Sequence, residues 1–323
     1  MIHPDSGWIL SRLARELCEA ASDTFFLANL TQGRLHFSGA FDAIYYMDVQ
    51  NCWGSLMRDM YPDVLHVGMF THADRDDLAT ARPDISNLDG IVHMCRRYYD
   101  RFLKAGRYPK ERMVVIPPGQ PCSSFQLRPL RLGVCQRGGF PGKGDPFLFE
   151  ALAGLLVEVR RHVELNIKGS GWRDSWMCWE SRLDPLRVIL DDNECQADYL
   201  KWYDNIDYLL VPSLYEGGPM AVQEALACGI LVISADVGFV PEMLTWTCSE
   251  GALDKAPEYR LRKDNDRVAI EPGCYIFPPG DVGALCQIIT SLYVRRSRLR
   301  RRVEGLSWKS YAEKLEAFVE TLR

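Results

Sequence analysis

The chain lacks several features that would place it in a specialised class. No apolar run approaches the roughly 20 residues that a membrane-spanning helix requires. The N-terminal residues show no secretion-signal pattern. The 11 cysteines are an odd number and include no Cys-x-x-Cys pair, which argues against a zinc site and a disulfide framework. Neither a GxGxxG fingerprint nor a P-loop is present. These absences predict a reduced, cytoplasmic protein.

The composition is that of an ordinary globular protein. Hydrophobic residues make up 47% of the chain and charged residues 25%, which is typical of a protein with a buried core and a hydrated surface. A length of 323 residues suits two domains of common size. The formal net charge of −5 argues against a protein dedicated to binding nucleic acid.

Helices and strands alternate along the chain as they do in a doubly wound parallel sheet. In the N-terminal part, apolar runs and periodicity predict such elements at 9–21, 24–30, 43–47, 64–71, 90–94, 96–105 and 113–116. The segment 121–129 has no periodicity and is interpreted as a linker, and the alternation resumes after it. The predicted fold class is α/β, with domains at 1–126 and 127–306. The polar segment 247–269 is interpreted as an insertion or a mobile loop.

Residues 208–229 combine a strand, a glycine turn and a helix. The apolar run 208–211 predicts a buried parallel strand, and 220–228 predicts a helix that stops at a glycine. This layout presents free backbone N–H groups to an anion. Glu216 lies in the turn, and Glu224 lies eight residues later in the helix. Because a carboxylate is repelled by phosphate, we interpret both glutamates as ligands of hydroxyl groups. A sugar nucleotide offers a diphosphate flanked by two polyols.

A second loop, 137–144, has the sequence Arg-Gly-Gly-Phe-Pro-Gly-Lys-Gly and follows a predicted strand at 132–135. Its glycines allow close approach to a ligand. Arg137 and Lys143 stand six residues apart in it. A guanidinium binds phosphate oxygens with a planar fork, and an ammonium adds a point charge. We interpret the loop as a phosphate site, while two solvated cations remain the alternative.

The wider pattern resembles that of a known family. The segment 212–219, Pro-Ser-Leu-Tyr-Glu-Gly-Gly-Pro, is followed by Glu224 and then by Val-Gly-x-x-Pro-Glu at 237–242. Together these resemble the Glu-x7-Glu motif of the family 4 retaining glycosyltransferases. The resemblance implies the GT-B fold, in which two Rossmann-like parallel-sheet domains face each other across a cleft. It also implies that the last helix, at 307–323, packs back on the N-terminal domain.

The resemblance assigns roles to residues of both loops. Glu216 would bind hydroxyls of the transferred sugar, and Glu224 would hold the nucleotide ribose. Arg137 and Lys143 would stabilise the leaving diphosphate. Further donor contacts are implied for residues that bring the backbone close to the ligand, namely Gly217, Gly218, Pro219, Gly169, Gly171 and Gly7.

The chain departs from the family pattern at two strand ends. Lys168 precedes the glycine pair where the family usually has valine, and it would either add charge near phosphate or point to solvent. Asp191 and Asp192 follow a predicted strand where the family often has glycine, which leaves the nucleotide base open.

The resemblance is thinner in the N-terminal half. His72 follows a predicted strand, as the family's sugar-contacting histidine does, and would be catalytic by donating to a sugar hydroxyl; a structural histidine is the alternative. Asp48 and Gln50 follow another strand end and are predicted to contact the acceptor. The segment around Gly7 stands in place of the family's glycine-rich first loop, with a helix cap as its alternative.

The implied activity is retaining transfer of a sugar from a nucleotide-diphosphate sugar to an acceptor hydroxyl. A UDP-sugar is the first expectation for the donor and a GDP-sugar the second, with no other cofactor and no metal. The expected acceptor is a glycan or lipid-linked intermediate of surface polysaccharide or lipopolysaccharide synthesis. Two alternatives stay open: glycosylation of a modified nucleic-acid base, and a non-catalytic sugar-nucleotide-binding protein.

Two basic segments bear on partners. Residues 96–104 and the arginine run at 295–302 are predicted either to contact an anionic membrane at its inner face or to form solvated helix faces. The arginine run is also the one feature that keeps a nucleic-acid partner open.

Overall fold

The structure, a computed structural model, describes residues 2–3, 9–25, 28–29, 41–47, 54–70, 85–106, 108–120, 125–192, 196–245, 258–260 and 267–323. The chain divides into two compact units. The first unit comprises Met1–Gln126 and Arg300–Arg323, and the second comprises Leu127–Leu299. Each unit is an α/β layer structure built on a parallel sheet.

The first unit contains, in chain order, β1 (Ile2–His3), α1 (Ile9–Ala20), β2 (Ala28–Asn29), β3 (Ala43–Tyr46), α2 (Gly54–Met60), β4 (Leu65–Phe70), β5 (Gly90–His93), α3 (Arg96–Ala105) and β6 (Met113–Val115). Short 3-10 turns lie at Ile85–Asn87 and Lys110–Arg112. The strand order is β2-β1-β3-β4-β5-β6, and every pair is parallel.

The second unit contains β7 (Leu130–Cys135), α4 (Asp145–Ala153), α5 (Val157–Arg160), β8 (Val163–Lys168), α6 (Arg173–Leu183), β9 (Arg187–Asp191), α7 (Gln196–Tyr203), β10 (Tyr208–Val211), α8 (Met220–Ala227), β11 (Leu231–Ala235), α9 (Val240–Leu244), β12 (Glu258–Arg260), β13 (Arg267–Ala269) and β14 (Tyr275–Phe277). A 3-10 turn lies at Pro141–Lys143. Two further helices follow, α10 (Val282–Glu304) and α11 (Trp308–Leu322). None of the described helices is long and apolar enough to cross a membrane.

The main sheet of the second unit has the order β14-β11-β10-β7-β8-β9, again entirely parallel. Chain order runs outward from β7 to β9 on one side and from β10 to β14 on the other. The order therefore reverses between β7 and β10, which in such sheets opens a crevice at the carboxyl ends of the strands. The strands hold this position because their apolar side chains, such as Leu132, Leu165 and Leu209, are completely buried.

In the first unit, α11 completes the core. Ser307 caps the helix by accepting a hydrogen bond from the Ser310 backbone N–H at 3.1 Å. Trp308 follows, buried, with its indole N–H donating to Glu16 of α1 at 2.8 Å. Further along, the buried hydroxyls of Tyr311 and Tyr45 lie 2.5 Å apart. The helix thus belongs to the same core as α1 and β3.

The prediction of an α/β fold with two Rossmann-like parallel sheets is confirmed. Helix α1 and strands β3 to β6 lie within one residue of their predicted limits. Sequence periodicity did not indicate β1, because two residues are too few to show a period. The interpretation of 247–269 as a loop is wrong in part, since β12 and β13 pair there as antiparallel strands.

Candidate functional site

A cavity of about 480 Å³ opens at the crevice between β7 and β10. The loops 136–144 and 212–219 leave these two strands at their carboxyl ends and supply half of its lining residues. The first turns of α8 and the last residues of β7 and β10 complete the wall. Four predicted charged residues line this one cavity: Arg137, Lys143, Glu216 and Glu224. The predicted Gly218 and Pro219 line it as well.

The two loops are joined by their own hydrogen bonds. The backbone N–H of Leu214 donates to the carbonyl oxygen of Gly142 at 2.8 Å. Gln136 donates from its side-chain amide to the carbonyl oxygen of Lys143 at 2.7 Å, which closes the first loop. At Gly144 the φ is 78°, and a Cβ would lie 2.1 Å from the carbonyl oxygen of Pro212. Only glycine permits that approach, so the loops meet because of this residue.

Lys143 and Glu216 form an ion pair inside the cavity. The Lys143 ammonium donates to Oε1 of Glu216, and the two side chains are 31% and 16% exposed. The buried Ser213 hydroxyl lies 3.1 Å from the same carboxylate oxygen and 3.0 Å from Gln136 Oε1, so it can donate to either. An ammonium has three donors, and Glu216 uses one of them. Lys143 can therefore hold the glutamate and bind a second anion at once.

The glycine turn before α8 leaves donors facing outward. Neither Gly217 nor Gly218 donates its amide to a backbone carbonyl in the part of the chain that the structure describes. A Cβ at Gly217 would meet nothing within 4 Å, whereas one at Gly218 would collide with the Phe239 ring at 2.1 Å. Gly218 is thus required for packing, and Gly217 faces open space. Free amides at a turn before a helix suit an anionic ligand.

Glu224 lies on α8 with its carboxylate exposed at the cavity wall. The hydroxyl of Tyr203, a buried residue at the end of α7, donates to Glu224 Oε2 at 2.6 Å. Burial, and then the hydrogen bond to this carboxylate, raises the pKa of Tyr203. Burial, together with the nearby Glu224 charge, also raises the pKa of the Cys135 thiol to about 11, so this thiol stays protonated and unreactive.

Asp145 supports the first loop from behind. It begins α4, is 2% exposed, and accepts a hydrogen bond from the backbone N–H of Gly139 at 2.5 Å. Burial raises the pKa of this carboxyl despite that hydrogen bond. A Cβ at Gly138 would lie 2.9 Å from Asp145 Oδ2, so the loop wraps tightly around the carboxylate.

The predicted Gly169 and Gly171 lie behind the cavity and do not line it. A Cβ at Gly169 would meet the carbonyl oxygen of Gln136 at 2.4 Å, and one at Gly171 would meet that of Gly138 at 2.6 Å. Both glycines therefore let the loop after β8 pack against the loop after β7. Any donor contact by these two residues stays a prediction.

Lys168 does not point to solvent, which was one of its two predicted positions, while a charge near phosphate stays a prediction. Its side chain is completely buried, and its ammonium pairs with Asp191 at 2.7 Å. The two residues end the neighbouring strands β8 and β9 and stand opposite each other in the register. Both residues depart from the family pattern, and Asp191 is the counter-ion of Lys168.

Four predicted residues lie outside the described part of the chain: Gly7, Asp48, Gln50 and His72. Conversely, sequence reasoning did not single out Tyr203, Asp145 or Gln136. Asp145 directly follows the Lys-Gly pair, where a carboxylate at a helix start was a usable signal. Tyr203 gave none, since an aromatic residue near the end of a helix is most often core.

No cluster of three or more metal-ligating side chains occurs among the described residues. The cations that line the cavity are those of Arg137 and Lys143.

Comparison with solved structures gives several alignments of low identity. S. aureus TarM, in complex with Fondaparinux, alpha-GlcNAc-glycerol and UDP, aligns at 15% identity and a TM-score of 0.39, over 82% of this chain and 54% of its own. This chain thus spans about half the length of TarM. The lipopolysaccharide outer core galactosyltransferase WaaB aligns at 17% identity and a TM-score of 0.36, over 98% and 82%. Anabaena HepE, in complex with UDP and glucose, aligns at 16% identity and a TM-score of 0.37. That alignment covers 87% of this chain and 78% of the HepE chain.

No curated protein sequence matches the chain. The family model for glycosyl transferases group 1 matches residues 132–294, which is half of the 323 residues. The matched region runs from β7 into α10 and includes both loops of the cavity. The resemblance drawn from the sequence motifs is thereby confirmed, and the chain belongs to the glycosyl transferases of group 1.

Proposed function

We propose that this protein is a retaining glycosyltransferase that moves a sugar from a nucleotide-diphosphate sugar to an acceptor hydroxyl. One observation carries the proposal. Two cations and two carboxylates, Arg137, Lys143, Glu216 and Glu224, line a single cavity at the point where the strand order reverses. Such crevices bind nucleotides in doubly wound sheets.

The diphosphate half of the cavity supplies positive charge where the leaving group gathers negative charge. Arg137 and Lys143 lie on one loop, and the free amides of Gly217 and Gly218 lie on the other. Preorganised donors of this kind each lower a barrier by about 3 kcal/mol. With these cations supplied by the protein, we propose that no divalent metal is needed.

The two glutamates serve the polyols on either side of the diphosphate. Glu216, held by Lys143, binds hydroxyls of the transferred sugar. Glu224, on α8 at the cavity wall, binds the ribose of the nucleotide. The acceptor oxygen attacks on the face that the diphosphate leaves, and a leaving phosphate oxygen takes the acceptor proton. Retention of configuration then requires no protein nucleophile.

For the acceptor we propose a glycan or lipid-linked intermediate of surface polysaccharide or lipopolysaccharide synthesis, contacted by Asp48 and Gln50. We propose that His72 donates to a hydroxyl of the transferred sugar. Arginines of α10 support peripheral contact with an anionic membrane. Arg296 and Arg300 pair with Asp207 and Glu304. Four others are exposed and have no ion pair among the described residues: Arg295, Arg298, Arg301 and Arg302. Binding to DNA that falls steeply with salt would favour the nucleic-acid alternative instead.

A thermal-shift screen with UDP, GDP, ADP and CMP, with and without EDTA, tests the proposal. A ligand at one hundred times its dissociation constant adds about 2.7 kcal/mol of stability. We expect one nucleoside diphosphate, UDP first and GDP second, to stabilise the protein equally in both conditions. If none does, the proposal is wrong.

Turnover is tested with Glu216→Gln. We expect the variant to keep nucleotide binding and to lose sugar transfer by about a hundredfold, because the glutamate contacts the reacting sugar. Glu313→Gln, an exposed glutamate of α11, is the matched control. A wild-type protein that binds the nucleotide sugar and transfers nothing to any glycan acceptor would be a sugar-nucleotide-binding protein.

A further inference from the structure

Tyr203 is a buried residue that the proposed chemistry does not use. It is the last residue of α7 and is 2% exposed. Its hydroxyl lies 2.6 Å from Glu224 Oε2 and 3.5 Å from the carbonyl oxygen of Ala221. Since both acceptors belong to α8, Tyr203 ties the end of one helix to the wall of the cavity.

The environment of Tyr203 makes this contact rigid. Its ring meets the ring of Trp202 edge-on, with centroids 5.0 Å apart. Trp202 and Ile206 in turn pack over Gly133, where a Cβ would come within 2.8 Å and 2.5 Å of them. Because Gly133 has no side chain, the end of α7 can pack directly against β7. A buried aromatic side chain with two χ angles loses little entropy when it orders a neighbour.

Glu224 needs such a partner more than a buried glutamate would. It is an exposed residue on a helix surface, with three rotatable side-chain bonds. A hydrogen bond from Tyr203 to Oε2 selects one rotamer and leaves Oε1 without a partner among the described residues. The free oxygen remains at the cavity wall, where it can accept from a ligand hydroxyl.

We infer that Tyr203 is a positioning residue, which fixes the Glu224 carboxylate for the vicinal hydroxyls of a ribose. The inference rests on the proposed function, because it takes the ligand of Glu224 from that proposal. Tyr203 touches no substrate itself. It holds Glu224 in one rotamer before the ligand binds. The entropy cost of ordering that side chain is then not part of the binding free energy, so Tyr203 raises the affinity for the nucleotide.

The test uses Tyr203→Phe in the full chain. The phenyl ring fills the same space, and the other side-chain partner of the hydroxyl, the half-buried Cys135 thiol, is only a weak hydrogen-bonding group, so the variant is expected to fold. For whichever of UDP, GDP or ADP binds the wild type, we expect the dissociation constant to rise about fivefold, which is the cost of ordering one flexible side chain on binding. Tyr108→Phe is the matched control, since that buried hydroxyl donates to the Leu88 carbonyl oxygen in the first unit.

Two further readouts separate positioning from packing. In a Glu224→Ala background, Tyr203→Phe should cause no additional loss of affinity, because the hydroxyl acts through that carboxylate. The 2′-deoxy and 3′-deoxy forms of the same nucleotide should likewise lose less from Tyr203→Phe than the ribonucleotide does. An equal loss in both backgrounds, or an unchanged affinity, would overturn the inference. If no nucleotide binds even the wild type, the proposed function fails first.

Discussion

Both parallel sheets carry a completely buried titratable residue at the carboxyl end of a strand. One of the two residues has a charged partner, and the other is surrounded by aromatic rings. His93 ends β5 in the first unit, and Lys168 ends β8 in the second. The Lys168 side-chain nitrogen lies 2.7 Å from a carboxylate oxygen of Asp191. Neither ring nitrogen of His93 has a partner among the described residues. Burial lowers the pKa of His93 to about 4, so its ring is neutral at physiological pH.

The surroundings explain the difference. His93 lies among the rings of Phe70, Tyr99 and Phe102, with centroids 5.6, 5.7 and 4.9 Å away. Lys168 instead faces the end of a neighbouring strand that supplies a carboxylate. The second sheet thus carries fixed charges at the edge where its cavity opens, while this part of the first sheet excludes charge. An edge built to tolerate ions suits an anionic ligand.

The largest effect is expected from breaking the Lys168 ion pair. Asp191→Ala leaves a buried ammonium without its counter-ion, which costs about 3 kcal/mol. This is the low end of such penalties, since Asp191 is 38% exposed and water can reach the gap. The measurement is the free energy of unfolding in urea.

The double variant Lys168→Met with Asp191→Ala should recover most of that loss, because no buried charge remains. Equal instability of the single and double variants would show that the pair is not what stabilises this edge.

A smaller effect is expected from the pH dependence of His93. Its pKa is about 4 in the folded protein against an ordinary value of 6.5, so the unfolded chain binds the proton more tightly. Its contribution is constant above pH 6.5 and falls as the pH drops from 6.5 towards 4. Between pH 8 and pH 5 the loss is about 2 kcal/mol. Unfolding of His93→Phe at both pH values should show a dependence weaker by that amount, and an unchanged dependence would contradict the assignment.

The sequence predicted part of the difference between the strand ends at His93 and Lys168. The apolar runs predicted the strands, and the motif at 212–219 predicted which strand ends form the site. Pairing between Lys168 and Asp191 was not predictable, because it depends on the register of β8 and β9. The same holds for Tyr203 and Glu224, which lie 21 residues apart on different helices. Spacing within one segment can be recognised in a sequence, whereas contacts across strands and helices need the fold.

The smallest effect on stability is expected from alanine at Gly217, and this substitution tests whether the diphosphate binds beside that glycine. Gly217 and Gly305 both have open space where a Cβ would lie, and neither has a positive φ. Alanine should therefore be tolerated at either position, within about 0.5 kcal/mol of stability.

Only Gly217 lies in the turn that we assign to the diphosphate. We expect Gly217→Ala to weaken nucleoside diphosphate binding about fivefold, because the methyl group occupies space that the ligand needs. Gly305→Ala should bind as the wild type does. Equal binding by both variants would mean that the open space beside Gly217 belongs to solvent, and that the diphosphate is held by the loop after β7 alone.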